Sequence, residues 1–187
     1  MRNLFISLFL LSLLGSMVGC GSTDLALINQ VKRFEPEWTR LADKVSYIDR
    51  NLRSTHRHYQ ADFEAVNPYL TNTRLMSQYR MPSMRSQFLN VISQRDSIQT
   101  RFTEGKEKFL TELHAFNEWE NQLMRGRVGK NEAYQQFSAY KEKVAIMQED
   151  MGVLQDMLIS NIEEHNSILR QLSGALDLYQ NFDINPR

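Results

Sequence analysis

Apolar residues recur along the chain with a period of seven, and the pattern occurs in three separate stretches. In the first, Val31, Trp38, Val45, Leu52, Tyr59 and Val66 lie seven apart, with Phe34, Leu41 and Ile48 three places after the first three. Such a seam belongs to a helix that packs along its length against others. After Leu52 the companion position reads as slipping by one, to His56 and Phe63. In the second stretch Phe88, Phe102, Phe109, Phe116 and Leu123 share a lattice and Arg95 takes the missing place, with Met84, Val91, Ile98 and Trp119 beside it. In the third, Phe137, Val144, Met151, Leu158, Leu172 and Tyr179 share a lattice with His165. Its companions are Tyr140, Met147 and Leu154, then, after the same slip, Ile162, Leu169 and Leu176.

The breaks fall between these stretches. Asn67-Pro68 is expected to end the first helix, because the residue before proline disfavours the helical conformation. Pro82 suits the opening of the second, where a missing backbone donor matters little. Gly126 and Gly129 bracket a tight turn, and Asn131 is a candidate cap for the third helix. Pro36, off the seam, is expected to kink the first helix or to restart it. The predicted fold is all-α: a long antiparallel up-down-up three-helix bundle, coiled-coil-like, with helices over about 24–66, 83–125 and 131–180 and a connection over 67–82. Large knobs such as Trp38 and the phenylalanine series favour this intramolecular core over an intermolecular coiled coil. The architecture resembles a spectrin-type repeat, a likeness that implies no function.

If the turns centre near residues 75 and 128, Thr55 and His56, Arg95 and Asn161 fall at one level, with His165 the further polar place on the third seam. That layer reads either as a buried ligand or metal position or as a register-fixing layer, and the second reading is preferred because a central arginine repels a cation.

The N-terminus departs from this pattern. Arg2 precedes an almost unbroken apolar run, Leu4 to Leu14, which is too short to span a bilayer and about the length of a secretory h-region. Met17-Val18-Gly19-Cys20 follows and resembles the lipobox of bacterial lipoproteins, although the place of Met17 is more often leucine. The resemblance covers only the first twenty residues or so and implies a signal peptide over 1–19 and lipidation, palmitate included, at Cys20. Cys20 is the only cysteine, so it has no disulfide partner within the chain. Gly21 rather than aspartate follows it, which in Gram-negative lipoproteins implies sorting to the outer membrane. The mature domain is then 20–187, exported and held at the membrane through Cys20.

Composition removes several classes of function. The 22 basic residues equal the 22 acidic ones, so no global field draws nucleic acid. His56 and His58 point about 200° apart on a helix and cannot share a metal, and no histidine has a glutamate three places before it. There is no His-Glu-x-x-His, phosphate loop or serine elbow. The chain is therefore expected to be no enzyme and to need no cofactor and no metal. Arg125, Arg127 and Lys130, in the turn near the lipidated end, are candidate head-group contacts. Tyr69, Leu70, Arg74, Leu75, Met76, Tyr79 and Arg80 form either a partner-binding tip or a lid on the bundle end. Two functions follow: a membrane-anchored envelope lipoprotein that binds another envelope protein as an adaptor or assembly factor, or a carrier or sensor holding a small ligand near His56, Arg95 and Asn161.

Overall fold

The computed structural model describes residues 24–72 and 81–183, without the side chains of 81, 82 and 175–183. These residues are all-α, in three helices: α1 (Leu25–Leu70), α2 (Met81–Met124) and α3 (Lys130–Asp183). Residues 1–23, with the expected signal segment and Cys20, lie outside the described residues, as do Arg74, Leu75, Met76, Tyr79 and Arg80 of the expected tip.

Local chemistry sets the helix ends. Asp24 caps α1, its Oδ1 accepting the backbone N–H groups of Ala26 and Leu27 at 3.0 and 3.2 Å. The helix then runs through Pro36 without a restart and does not end at Asn67-Pro68 but continues to Leu70. A proline in the last turn removes a single donor, and the Thr71 hydroxyl, donating to the carbonyls of Asn67 and Pro68, helps close the end. α2 ends in a Schellman turn: Gly126, at φ 64°, donates to Leu123 O, and Arg127 donates back to Gln122 O, both at 2.9 Å. Asn131 is not the cap of α3, since the helix starts at Lys130 and the Gly129 carbonyl already accepts from Ala133 at 2.8 Å.

The three helices pack in two compact units, each drawing on all of them. Of the described residues, unit 1 takes those up to Arg40 together with Lys108–Met147, and unit 2 takes those between Leu41 and Glu107 together with those from Gln148 onward. The core of unit 1 is aromatic. Trp38 lies against Phe116 at 5.3 Å, Phe137 meets Phe34 edge-on at 5.5 Å, and Trp119 stacks on Phe137 at 6.2 Å. In unit 2 the buried residues are mainly aliphatic, among them Leu41, Ile48, Leu52, Leu154 and Leu158, and a further cluster joins Leu70, Phe88, Val91, Ile168 and Leu172. α2 and α3 come close at Gly105, where a Cβ would stand 2.5 Å from Met151 Cε.

Burial corrects one feature of the pattern. The companion seam does not slip at the polar level, and in α1 it slips only beyond it, where Phe63 packs on the core and Leu70 is buried whereas Tyr69 is exposed. In α1 it continues from Leu41 and Ile48 to Thr55, which is buried while His56 is exposed. In α3 it continues from Met147 and Leu154 to Asn161 and Ile168, while Ile162 and Leu169 are only half-buried. Thr55 and Asn161 thus hold core places, and a reading by apolarity alone steps past them.

Candidate functional site

Four polar or charged residues are buried among the described residues, Thr55, Arg95, Asn161 and His165, and all belong to unit 2. The Leu52 carbonyl is their first meeting point. It accepts the Thr55 hydroxyl at 3.1 Å from its own helix and Arg95 Nη2 at 3.2 Å from α2. Arg95, 6% exposed, also donates from Nη1 to the Asp96 carboxylate at 2.6 Å and from Nη2 to Gln99 Oε1 at 3.4 Å. Its Nε is buried with no acceptor among the described residues. Asn161, His56 and the Thr55 hydroxyl, which the sequence places at the level of Arg95, are not its acceptors. A backbone carbonyl and an exposed carboxylate serve instead, which lets the long stem keep its charge near water.

Asn161 ties all three helices together. Its Nδ2 donates to the Val91 carbonyl of α2 at 2.9 Å, and its Oδ1 accepts the Tyr59 hydroxyl of α1 at 3.0 Å. The same hydroxyl lies 3.1 Å from the Asn161 carbonyl. Burial raises the Tyr59 pKa, so the phenol stays protonated and able to donate. Tyr59 is the member that sequence reasoning missed. Its lattice place was read as apolar, but a buried tyrosine hydroxyl requires a partner, and that requirement was the available signal.

His165 lies one turn beyond Asn161. Its ring stacks on Tyr59 at 3.7 Å, nearly parallel at 11°, with the Phe88 ring at 5.2 Å. Burial pushes its pKa below the usual histidine value; Asp62 and Asn166 oppose that shift and His58 adds to it. Asp62 Oδ2 is 3.5 Å from Nε2 yet accepts no hydrogen bond from it. The imidazole is therefore neutral at neutral pH, held by ring stacking rather than by charge.

His56 is not part of this layer. It stands on the rim of a surface cleft of about 310 Å³ between α1 and α2, lined also by Tyr59, Phe63, Leu89, Ile92 and Arg95. A second cleft of about 420 Å³ lies between α2 and α3 beside Gln94, Met157 and Asn161. The polar layer thus has open space on two sides. Among the described residues no group of three or more histidine, cysteine or acidic side chains could hold a metal ion, and no helix is long and apolar enough to cross a membrane.

The other expected sites fare differently. Arg125 and Arg127 are exposed in the turn between α2 and α3. Lys130 is exposed but engaged: its Nζ is 3.2 Å from Asp24 Oδ2, to which the Tyr134 hydroxyl also donates at 3.2 Å. The Asp24 carboxyl is held below its ordinary pKa first by the Leu27 backbone hydrogen bond and then by Lys130. Of the tip, Tyr69 is exposed, whereas Leu70 is fully buried against the Phe88 cluster and so belongs to the core.

Comparison of the chain with protein-family models, curated proteins and solved structures gives no match.

Proposed function

We propose that the chain is an envelope lipoprotein of a Gram-negative-type bacterium, cut before Cys20, acylated there and carried to the outer membrane. Its 20–187 domain then works as a non-catalytic helical module that binds another envelope protein. An antiparallel up-down-up order is supported within each unit. In unit 2 the partners of Val91, Arg101 and Gly105 in α2 are Asn161, Met157 and Met151 in α3, descending as α2 ascends. In unit 1, Glu112 pairs with Lys143 and Trp119 with Phe137, in the same sense.

The observation that carries the non-catalytic reading is where the buried polar groups go. Thr55 and Arg95 donate to Leu52 O, Asn161 donates to Val91 O, and Tyr59 donates to Asn161. Hydrogen bonds onto backbone carbonyls of the same or a neighbouring helix fix position and engage the groups that make them. The anchor reading has a short geometric link to the fold: Asp24 is four residues after Cys20, a reach of at most about 14 Å of extended chain. A lipid on Cys20 would therefore bring Arg125 and Arg127 close to head groups, with Lys130 already paired to Asp24.

Metabolic labelling with a fatty acid tests the anchor. Label is expected in the wild type and absent in Cys20→Ser; equal label in both refutes it. For the module, a tagged native lipoprotein captured from detergent-solubilised envelope should retain one stoichiometric protein, lost when Tyr69, Arg74 and Tyr79 are replaced by alanine. A second reading, a carrier or sensor of a small ligand, is favoured by one observation: the α1/α2 cleft lies directly against Arg95, beside the polar layer.

A further inference from the structure

His165 is a titratable group sealed in the core of unit 2. It is 2% exposed, and its Nε2 is buried without a hydrogen-bond partner among the described residues. The Tyr59 ring of α1 lies parallel to it at 3.7 Å, and the Phe88 ring of α2 stands at 5.2 Å. From α1, Asp62 brings Oδ2 to 3.5 Å from Nε2 and His58 acts on the imidazole by its charge; from α3, Asn166 is the polar neighbour. Arg95, the buried cation of α2, bears on Tyr59 instead, as does Glu164 of α3.

A proton added to this ring puts a charge where water does not reach. Asp62 and the face of the Tyr59 ring both favour the cation, but the loss of hydration outweighs them. The cost is relieved once the ring meets water, and Tyr59 is what covers it. The same residue joins α1 to α3, through its hydroxyl on Asn161 Oδ1. Beyond Tyr59, α1 is held by Phe63, Val66 and Leu70 on the Phe88 cluster, and it ends at Leu70. Terminal turns open at lower free energy than helix interiors, so this segment is the one that yields first.

We propose that His165 is an acid-operated latch: when its ring takes up a proton, residues 59–70 of α1 lift off α2 and α3 and the hydrogen bond from Tyr59 to Asn161 breaks, while unit 1 stays folded. The device lies beyond the function proposed above and is independent of where the chain resides.

Hydrogen–deuterium exchange of the full chain in non-ionic detergent, at pH 7.5 and pH 5 and corrected for the intrinsic rate at each pH, tests it. His165→Phe keeps a flat ring on Tyr59 and removes the titration. On acidification, protection of residues 59–70 should fall about threefold further, or more, in wild type than in His165→Phe, because only the wild-type ring takes up a proton on opening. Lys108–Met147 of unit 1 should show no such difference. An equal fall in the two proteins, or an equal excess loss in unit 1, overturns the latch. A second measurement needs no variant: the His165 ring, followed by NMR in wild type, should titrate below 6.5 with the Tyr59 ring resonances moving along the same curve. A titration at or above 6.5, or Tyr59 resonances that stay in place through it, overturns the latch as well.

Discussion

The two units contain stretches of the same three helices and the same heptad pattern, yet their interiors are held by different chemistry. Unit 1 fills its core with rings, six of them from Phe34, Trp38, Phe109, Phe116, Trp119 and Phe137. Its two indole N–H groups, of Trp38 and Trp119, are buried without acceptors. Unit 2 places smaller aliphatic side chains around a layer in which Tyr59, Asn161 and Arg95 are hydrogen-bonded in defined directions. Apolar contact is tolerant of sliding by a heptad, because most knobs resemble their neighbours. A hydroxyl, an amide and a carbonyl that must meet within 3 Å are not. Adhesion and alignment are distinct tasks, carried here by different stretches of the same helices.

The strongest way to break this contrast is Phe116→Ala. The ring touches Phe34, Trp38, Trp119 and Tyr140, and its loss should destabilise the chain by about 3–5 kcal/mol in denaturant melts. A loss below about 1 kcal/mol would mean that the rings are not what holds unit 1. Next comes Asn161→Ala, which strands the Tyr59 hydroxyl in the core. About 1–3 kcal/mol is expected, with faster amide exchange around Val91, while Phe116→Ala should raise exchange in unit 1. Unchanged exchange at Val91 would count against a clasp there.

A smaller effect on stability is expected from Arg95→Leu. Replacing a buried charge by an apolar group of similar reach is often neutral or favourable, so the melting temperature should hold or rise. If the layer fixes register, its loss should instead give a mixed or higher oligomeric state, read by light scattering. A uniquely monomeric Arg95→Leu with a single sharp spectrum would relieve arginine of any aligning role.

The finest test is pH. His165 has a folded-state pKa below its ordinary value of 6.5, so folding prefers the neutral ring. Its contribution is complete above about 6.5 and is lost as the pH falls through the lowered folded value. Wild type should therefore lose more stability than His165→Phe between pH 7.5 and 5. Parallel pH profiles would show that the ring titrates as if in water.

Much of this was legible beforehand. Three helices, the buried phenylalanine lattice and the company of Thr55, Arg95 and Asn161 follow from spacing alone, because periodicity records which face is covered. Helix ends were less legible: Pro68 looked like a stop and Asn131 like a cap, while the Thr71 hydroxyl and Gly129 carbonyl settled the ends a few residues away. The polar layer was half legible. Position can be counted, but bonding partners depend on side-chain reach, so spacing points to His56 and passes over Tyr59.

The Schellman turn at Gly126 also has a consequence in time. It closes α2 onto α3 over a short span, and the contact between Lys143 and Glu112 bridges only 31 residues. Asn161 reaches Val91 across 70 residues, and Tyr59 reaches Asn161 across 102. Chain closure grows less favourable with separation, so contacts near the turn form early and distant ones late. During synthesis α1 leaves the ribosome first yet must wait for the last third of the chain before Tyr59 finds its acceptor. Separation alone thus favours early contacts around the Gly126 turn and a late closure of the Tyr59 contact with Asn161.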